Sequence, residues 1–374
     1  MSDDRPAQPR LRRAVWLAVS IAAVLLVAGA ATPFALAQQA AQSSYDAAVA
    51  EYERAADASL SATESLEGAL TSATETRALA EQVLAAATPD YVDSSTLGVL
   101  TEAQLALTEA LEVAASAPVS GPTAEPGEGA QELQSRAEAV LADAAEVARA
   151  ADGVARAAAA VTSAGEAFVA GLSEHAASID STFASAANLD RIAYREATAA
   201  LAPARWDADA PALVARYVAA AQALAASHAA EEAEKAGPLY GQRKEVEAFA
   251  RSIAGGVMLD FDWAPVVNGY GQGGSFGGTA TWNTAHGGYS TITLSDSVAA
   301  LWQSHPAVAS LVAHEVGHSI TGKCMRLFID GFDSQAEVFA TAWAIGLGYD
   351  DEGSGESLYG RPSDALIALS RQCR

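Results

Sequence analysis

The sequence predicts an α+β domain over residues 255–374, preceded by a mostly α-helical, coiled-coil-like region and an amino-terminal apolar segment. Three observations carry this prediction. Residues 39–236 are rich in alanine, poor in glycine and nearly free of strand formers, a composition of high helix propensity. At Gly255-Gly256 the composition changes, and short β-branched and aromatic runs begin to alternate with glycine-rich turns. At the other end, Arg5, Arg10, Arg12 and Arg13 precede an uncharged apolar run from Ala14 to Ala31.

The chain has 374 residues and a formal net charge of −24, which makes nucleic acid and anionic lipid surfaces poor partners. Residues 1–13 read as a basic cytoplasmic terminus, and 14–37 as a signal anchor or signal peptide. Positive charge stays inside, so the rest of the chain is expected outside the cytoplasm. Two endings are open. Pro33 followed by Ala35-Leu36-Ala37 resembles a signal-peptidase site and would release a secreted protein. The run is long for a signal peptide, however, and its length favours a retained single-pass anchor that associates with the membrane.

Residues 38–116 form the first helical segment, with a long helix expected from about Gln42 to Ala87. Thr88-Pro89-Asp90 ends that helix, and a second runs from about Ser95 to Ala115. Residues 117–129, rich in Pro, Gly and Glu, read as a linker. In the segment 130–254, Leu133, Val140, Val147, Val154, Val161 and Phe168 recur every seven residues. Ala137, Ala144, Ala151, Ala158, Gly165 and Leu172 recur between them at the same period. A sustained seven-residue period implies left-handed supercoiling, and small seam residues let helix axes approach closely. The partner of this seam stays open: an antiparallel hairpin with the first helix, or a homo-oligomer through the helical region. Trp206 to Pro211 breaks the pattern. Helices over Ala210–Lys235 and Gln242–Ile253 then lead into the last domain, and His175 and His228 on these helices read as packing or surface residues.

From Val257 to Phe261 the residues suit a strand, and a glycine-rich loop covers Gly269 to Gly278. The runs Thr279–Trp282 and Tyr289–Leu294 predict a hairpin. A helix entered near Pro306 follows, carrying Leu311-Val312-Ala313-His314-Glu315-Val316-Gly317-His318-Ser319-Ile320. Residues four apart on a helix share a face, so His314 and His318 can present ring nitrogens to one cation. Glu315 lies beside them as a candidate base, and Gly317 allows another backbone to approach closely.

This His-Glu-x-x-His helix resembles that of the zincin superfamily of zinc metallopeptidases, a resemblance confined to residues 255–374. It implies a zincin-like domain, a Zn²⁺ cofactor and a peptide or protein substrate. It also implies hydrolysis in which Glu315 assists attack of zinc-bound water. A third ligand is then needed. Glu337, in Ser334-Gln335-Ala336-Glu337-Val338-Phe339-Ala340, resembles the Glu-x-x-Ala ligand of the gluzincin branch, although Ser334-x-x-Glu337 also fits a helix capping box. Thr341 stands where many members of that branch carry an acidic residue. Cys324 falls where metzincins place a histidine, but Thr321 replaces the glycine of that branch and no methionine follows Met325. Asp333, the remaining candidate, suits a helix N-cap.

In an exported domain Cys324 and Cys373 are expected to pair, tying the loop after the motif helix to the carboxyl-terminal segment. His286, Tyr289, Tyr349 and Tyr359 are all candidate donors to an oxyanion, and His305 reads as a local residue. The rival reading is a non-catalytic cell-envelope interaction or stalk protein with a degenerate zincin-like domain.

Overall fold

The computed structural model describes residues 11–118 and 127–374, with side chains described from residue 34 onward. The basic terminus up to residue 10, the side chains of the apolar run, and most of the 117–129 linker lie outside the described residues. Among the described residues, no helix is long and apolar enough to cross a membrane. The chain divides into two compact units, Met1–Ala78 with Glu102–Thr162, and Leu79–Thr101 with Ser163–Arg374.

The first unit draws on three long helices: α1 (Leu11–Ala86), α2 (Ser94–Ala115) and α3 (Ala130–Thr182). Ala48, Tyr52 and Ala55 of α1 pack with Leu133, Ala137 and Val140 of α3. Further along both helices, Ala62 packs with Ala144 and Val147. The two series ascend together, so α1 and α3 run parallel and do not form an antiparallel hairpin. The break after α1 sends the chain back through α2, and that return leaves α3 to run alongside α1. All twelve seam positions from Leu133 to Leu172 are buried.

The second unit holds α4 (Asn188–Leu201), α5 (Ala210–Glu234) and α6 (Tyr240–Ile253). A three-stranded sheet follows, of β1 (Met258–Ala264), β2 (Gly278–Asn283) and β3 (Tyr289–Ser295) in the order β1-β3-β2. β2 and β3 form the expected antiparallel hairpin, and β1 pairs in parallel with β3. α4 lies within the segment 130–254 read as helical, but its separate start was not marked, because groups far away in sequence fix it. The Asn188 amide donates to Asp260 at 2.9 Å, and its side chain donates to the Ser290 carbonyl at 2.7 Å.

After the sheet come α7 (Asp296–Leu301), α8 (Pro306–Ile320), α9 (Met325–Phe332) and α10 (Ala336–Gly346), then the short α11 (Glu356–Tyr359) and α12 (Asp364–Ser370). Proline occupies the first turn of α8, where its missing N–H costs nothing. Val308, Val312, Val316 and Ile320 recur every four residues along α8 and form its core face. They pack in one cluster with Leu259 and Phe261 of β1, Ile292 and Leu294 of β3, and Phe339 and Trp343 of α10. Each such side chain contributes about 1.5–3 kcal/mol by leaving water. The same core takes in Val246 and Ala250 of α6, so it begins before the change of composition at Gly255. Gly317 is where α10 crosses: a Cβ there would lie 2.8 Å from the Ala340 Cα. Cys324 and Cys373 are joined by a disulfide with Cα atoms 6.0 Å apart, linking the segment after α8 to the segment after α12.

Candidate metal centre

The core stripe of α8 turns its other face, with His314 and His318, away from the sheet. α10 brings up Glu337 from its first turn. The three side chains converge: His314 Nε2 lies 3.1 Å from Glu337 Oε2 and 3.1 Å from His318 Nε2, and His318 Nε2 lies 3.3 Å from the same carboxylate oxygen. This group could hold a metal ion. Ligands about 2.0–2.1 Å from a tetrahedral cation stand about 3.3 Å from one another, so the triangle has nearly the right edges.

The hydrogen-bonding chemistry of the triangle points the same way. His314 Nδ1 faces the Ser354 carbonyl at 2.9 Å, and a carbonyl can only accept, so Nδ1 carries the hydrogen. In the neutral ring Nε2 is then a lone pair, aimed at a carboxylate oxygen and at another imidazole nitrogen. A lone pair facing a carboxylate repels it unless a cation, a metal ion or a proton, lies between them. Thr341 Oγ1 is 3.4 Å from the same Nδ1. The orienting group for His314 is therefore a backbone carbonyl supplied from a loop, and the acidic side chain absent at position 341 is not needed for that role.

Glu315 is buried, and its Oε2 has no hydrogen-bond partner. Burial pushes its carboxyl up to about 7; His314 opposes this rise and Glu337 adds to it. Glu337 behaves oppositely: where the rings carry a proton toward it, hydrogen bonding to His314 and then to His318 holds its carboxyl well below the usual carboxylate range. Gly278, the first residue of β2, abuts Glu315 so closely that a Cβ would stand 2.7 Å from the carboxylate. A cleft of about 320 Å³ opens here, lined by His314, Glu315, Tyr270, Phe276, Leu358 and Tyr359 among others. Gly355 presses on the far side of His314, where a Cβ would be 2.7 Å from the ring. Tyr359 stacks on His314 with ring centroids 5.9 Å apart and planes 7° apart. Burial, then the Glu337 and Glu315 carboxylates, push its phenol upward.

Of the alternative ligands, Cys324 is consumed by the disulfide. Asp333 closes α9 as its C-cap in the left-handed region, and the N-cap of α10 is Gln335, so Asp333 does not play the capping role anticipated for it. The capping box at Ser334 does not form either. Ser334 is left-handed at φ 58°, no side chain caps α10, and the Glu337 carboxylate turns to the imidazoles. Two consecutive left-handed non-glycine residues cost about 1–3 kcal/mol each, held by the packing on either side. Among the candidate donors only Tyr359 lines the cleft. His286 lies 3.6 Å from Glu196, Tyr349 packs edge-on against Phe249, and Tyr289 starts β3. His305 stands at the cleft's rim, 3.8 Å from Glu352. His228 packs on Phe183 with ring centroids 5.5 Å apart, away from the triangle. Ser354 and Gly355 had no signal in the sequence, since one acts through its carbonyl and the other through lacking a side chain.

Comparison with family models, curated proteins and solved structures gives no match to this chain.

Proposed function

We propose that the protein is an exported, membrane-anchored zinc metalloendopeptidase whose zincin-like domain hydrolyses peptide bonds. The observation that carries this reading is the convergence of His314, His318 and Glu337 beside the unpartnered carboxylate of Glu315, at the head of a cleft. His314, His318 and Glu337 would hold the ion. Zinc, when bound, supplies a Lewis acid that polarises a peptide carbonyl and acidifies water. Glu315 takes the proton of the attacking water and passes it to the leaving amine. Tyr359 donates its hydroxyl to the oxygen that gains charge as the carbonyl is attacked. β2 is an edge strand that begins beside Glu315, and beyond Gly278, whose carbonyl accepts from Asn268 at 3.1 Å, its outer side is offered to an extended substrate. Export is supported by the arginines ahead of the apolar run and by a disulfide suited to an oxidising compartment.

The test is metal analysis of the purified chain together with a peptide-cleavage assay. About one zinc per chain is expected. Glu315→Gln should keep the zinc while turnover falls by about 10²–10⁴, the usual value of a general base. Zinc binding without any cleavage would overturn the enzymatic reading. Loss of zinc in the Glu315→Gln protein would show that the ligand set is misassigned.

A further inference from the structure

We infer that the cleft selects a substrate residue with a cationic side chain, lysine or arginine, through the carboxylate of Glu352. The inference rests on the peptidase reading for the role of the cleft, but not for the binding it predicts. Three carboxylates line or border the cleft, those of Glu315, Glu337 and Glu352, and no lysine or arginine is among its lining residues. A divalent cation held at the triangle would balance Glu315 and Glu337. That leaves Glu352 as the uncompensated charge of the cleft, with the His305 imidazole 3.8 Å away.

The neighbouring carboxylates are already engaged. Asp350 and Glu356 both pair with Arg361, at 2.6 and 2.7 Å, and Asp351 accepts the Gly353 amide at 3.2 Å. Glu352, by contrast, is largely exposed and lies on the cleft side of the loop.

Shape agrees with charge. Glu352 belongs to the end of the cleft built by Phe276, Leu311 and Gly353, with Phe276 packed against His305 at a centroid distance of 5.5 Å. A phenyl face and a leucine side chain suit the aliphatic stem of a long side chain, and a carboxylate beyond them suits its charged head. Phe276 can also face the cation directly. The start of α8 nearby offers only about half a positive charge, less than the full negative charge of Glu352. An acidic substrate residue would meet net repulsion here.

Binding can be measured separately from cleavage. Fluorescent hexapeptides that differ only in carrying lysine, leucine or glutamate at each position in turn would be titrated against the zinc-loaded full-length chain. Glu315→Gln would serve as the background to stop turnover, and cleavage of the same peptides by the unmodified chain is read apart. At one position lysine should bind about fivefold more tightly than leucine, the size expected for a partly exposed ion pair, and glutamate more weakly than leucine. Glu352→Gln should abolish that preference, Glu352→Lys should invert it, and added salt should shrink it. Glu67→Gln, in the other unit, changes the net charge of −24 by the same amount and should leave the preference intact. Equal binding of the three series, binding of none, or a lysine preference that survives Glu352→Gln would overturn the inference. Cationic selectivity without cleavage would sustain it while removing the peptidase reading.

Discussion

The seam of α3 and the metal centre on α8 are both built on helices, yet they use sequence in opposite ways. In the seam, every position does the same job. Val147, Val154 and Val161 are interchangeable knobs, and the alanines between them set how closely the helices approach. In the metal centre three side chains converge on one point while their neighbours each do something different, and several contributions come from the backbone. Ser354 acts through its carbonyl and Gly355 through close contact, while Gln335, Asp333 and Ser334 set the angle at which Glu337 enters. Distributed packing tolerates small errors at many points. A convergent site fails at one.

The largest effect is expected from a charge in the seam. Val154 is fully buried, so Val154→Asp would leave an unpaired carboxylate in an apolar contact, a change worth about 4 kcal/mol or more. Helicity by circular dichroism and the urea midpoint should both fall sharply. Zinc stoichiometry should hold, since every candidate ligand lies in the second unit. Unchanged helicity would mean that the seam is not a packing element. Loss of zinc would mean that the two units are energetically one.

What the sequence made legible follows the same division. A seven-residue period needs only neighbours along one helix, and His314 and His318 declare themselves by a four-residue spacing. Glu337 was reachable through its resemblance to a ligand helix. The parallel course of α1 and α3 was not, because it depends on where α2 returns the chain. Nor was the pairing of β1 with β3, which joins strands separated by a long glycine-rich loop and by β2. The support of His314 from Ser354, 40 residues away, was invisible for a further reason: every residue has a carbonyl, so type alone cannot mark the one that matters.

A smaller effect is expected from pH. Burial lifts Glu315 from 4.5 to about 7, so the folded, metal-free chain binds more protons than the unfolded chain across that window. Stability of the chelated protein should therefore fall as pH rises from about 4.5 through about 7. At about 1.4 kcal/mol per pKa unit, the loss is about 3 kcal/mol. Glu337, held low, contributes in the opposite sense, and its share disappears only under more acidic conditions. Urea midpoints of the chelated protein at pH 5 and pH 8 would show the loss, and Glu315→Gln should flatten it. Bound zinc should oppose it too, because the cation stabilises the ionised carboxylate. An unchanged slope in Glu315→Gln would assign the pH dependence to other groups.

The smallest effect isolates the backbone contribution to the site. Gly355 has φ +93°, and an added Cβ would stand 2.7 Å from His314 Cε1 and from Thr341 Oγ1. Gly355→Ala should tilt the imidazole off the triangle and disturb the adjacent Ser354 carbonyl. Loss of such an outer contact to a metal ligand typically weakens affinity by about 10–100-fold. Strain alone would be a competing cause, since alanine resists a positive φ. Gly360 supplies the control: its φ is +85°, and nothing lies within 4 Å of an added Cβ. Gly360, with ψ 157°, lies in a region reserved for glycine, so Gly360→Ala imposes at least as much strain on the neighbouring backbone without touching His314. Competition with a chromophoric zinc chelator should show a clear loss of affinity for Gly355→Ala and little for Gly360→Ala. Equal losses would trace the effect to loop strain. No loss in either would mean that the ring keeps its place without the loop, and that at this residue the site tolerates error as the seam does.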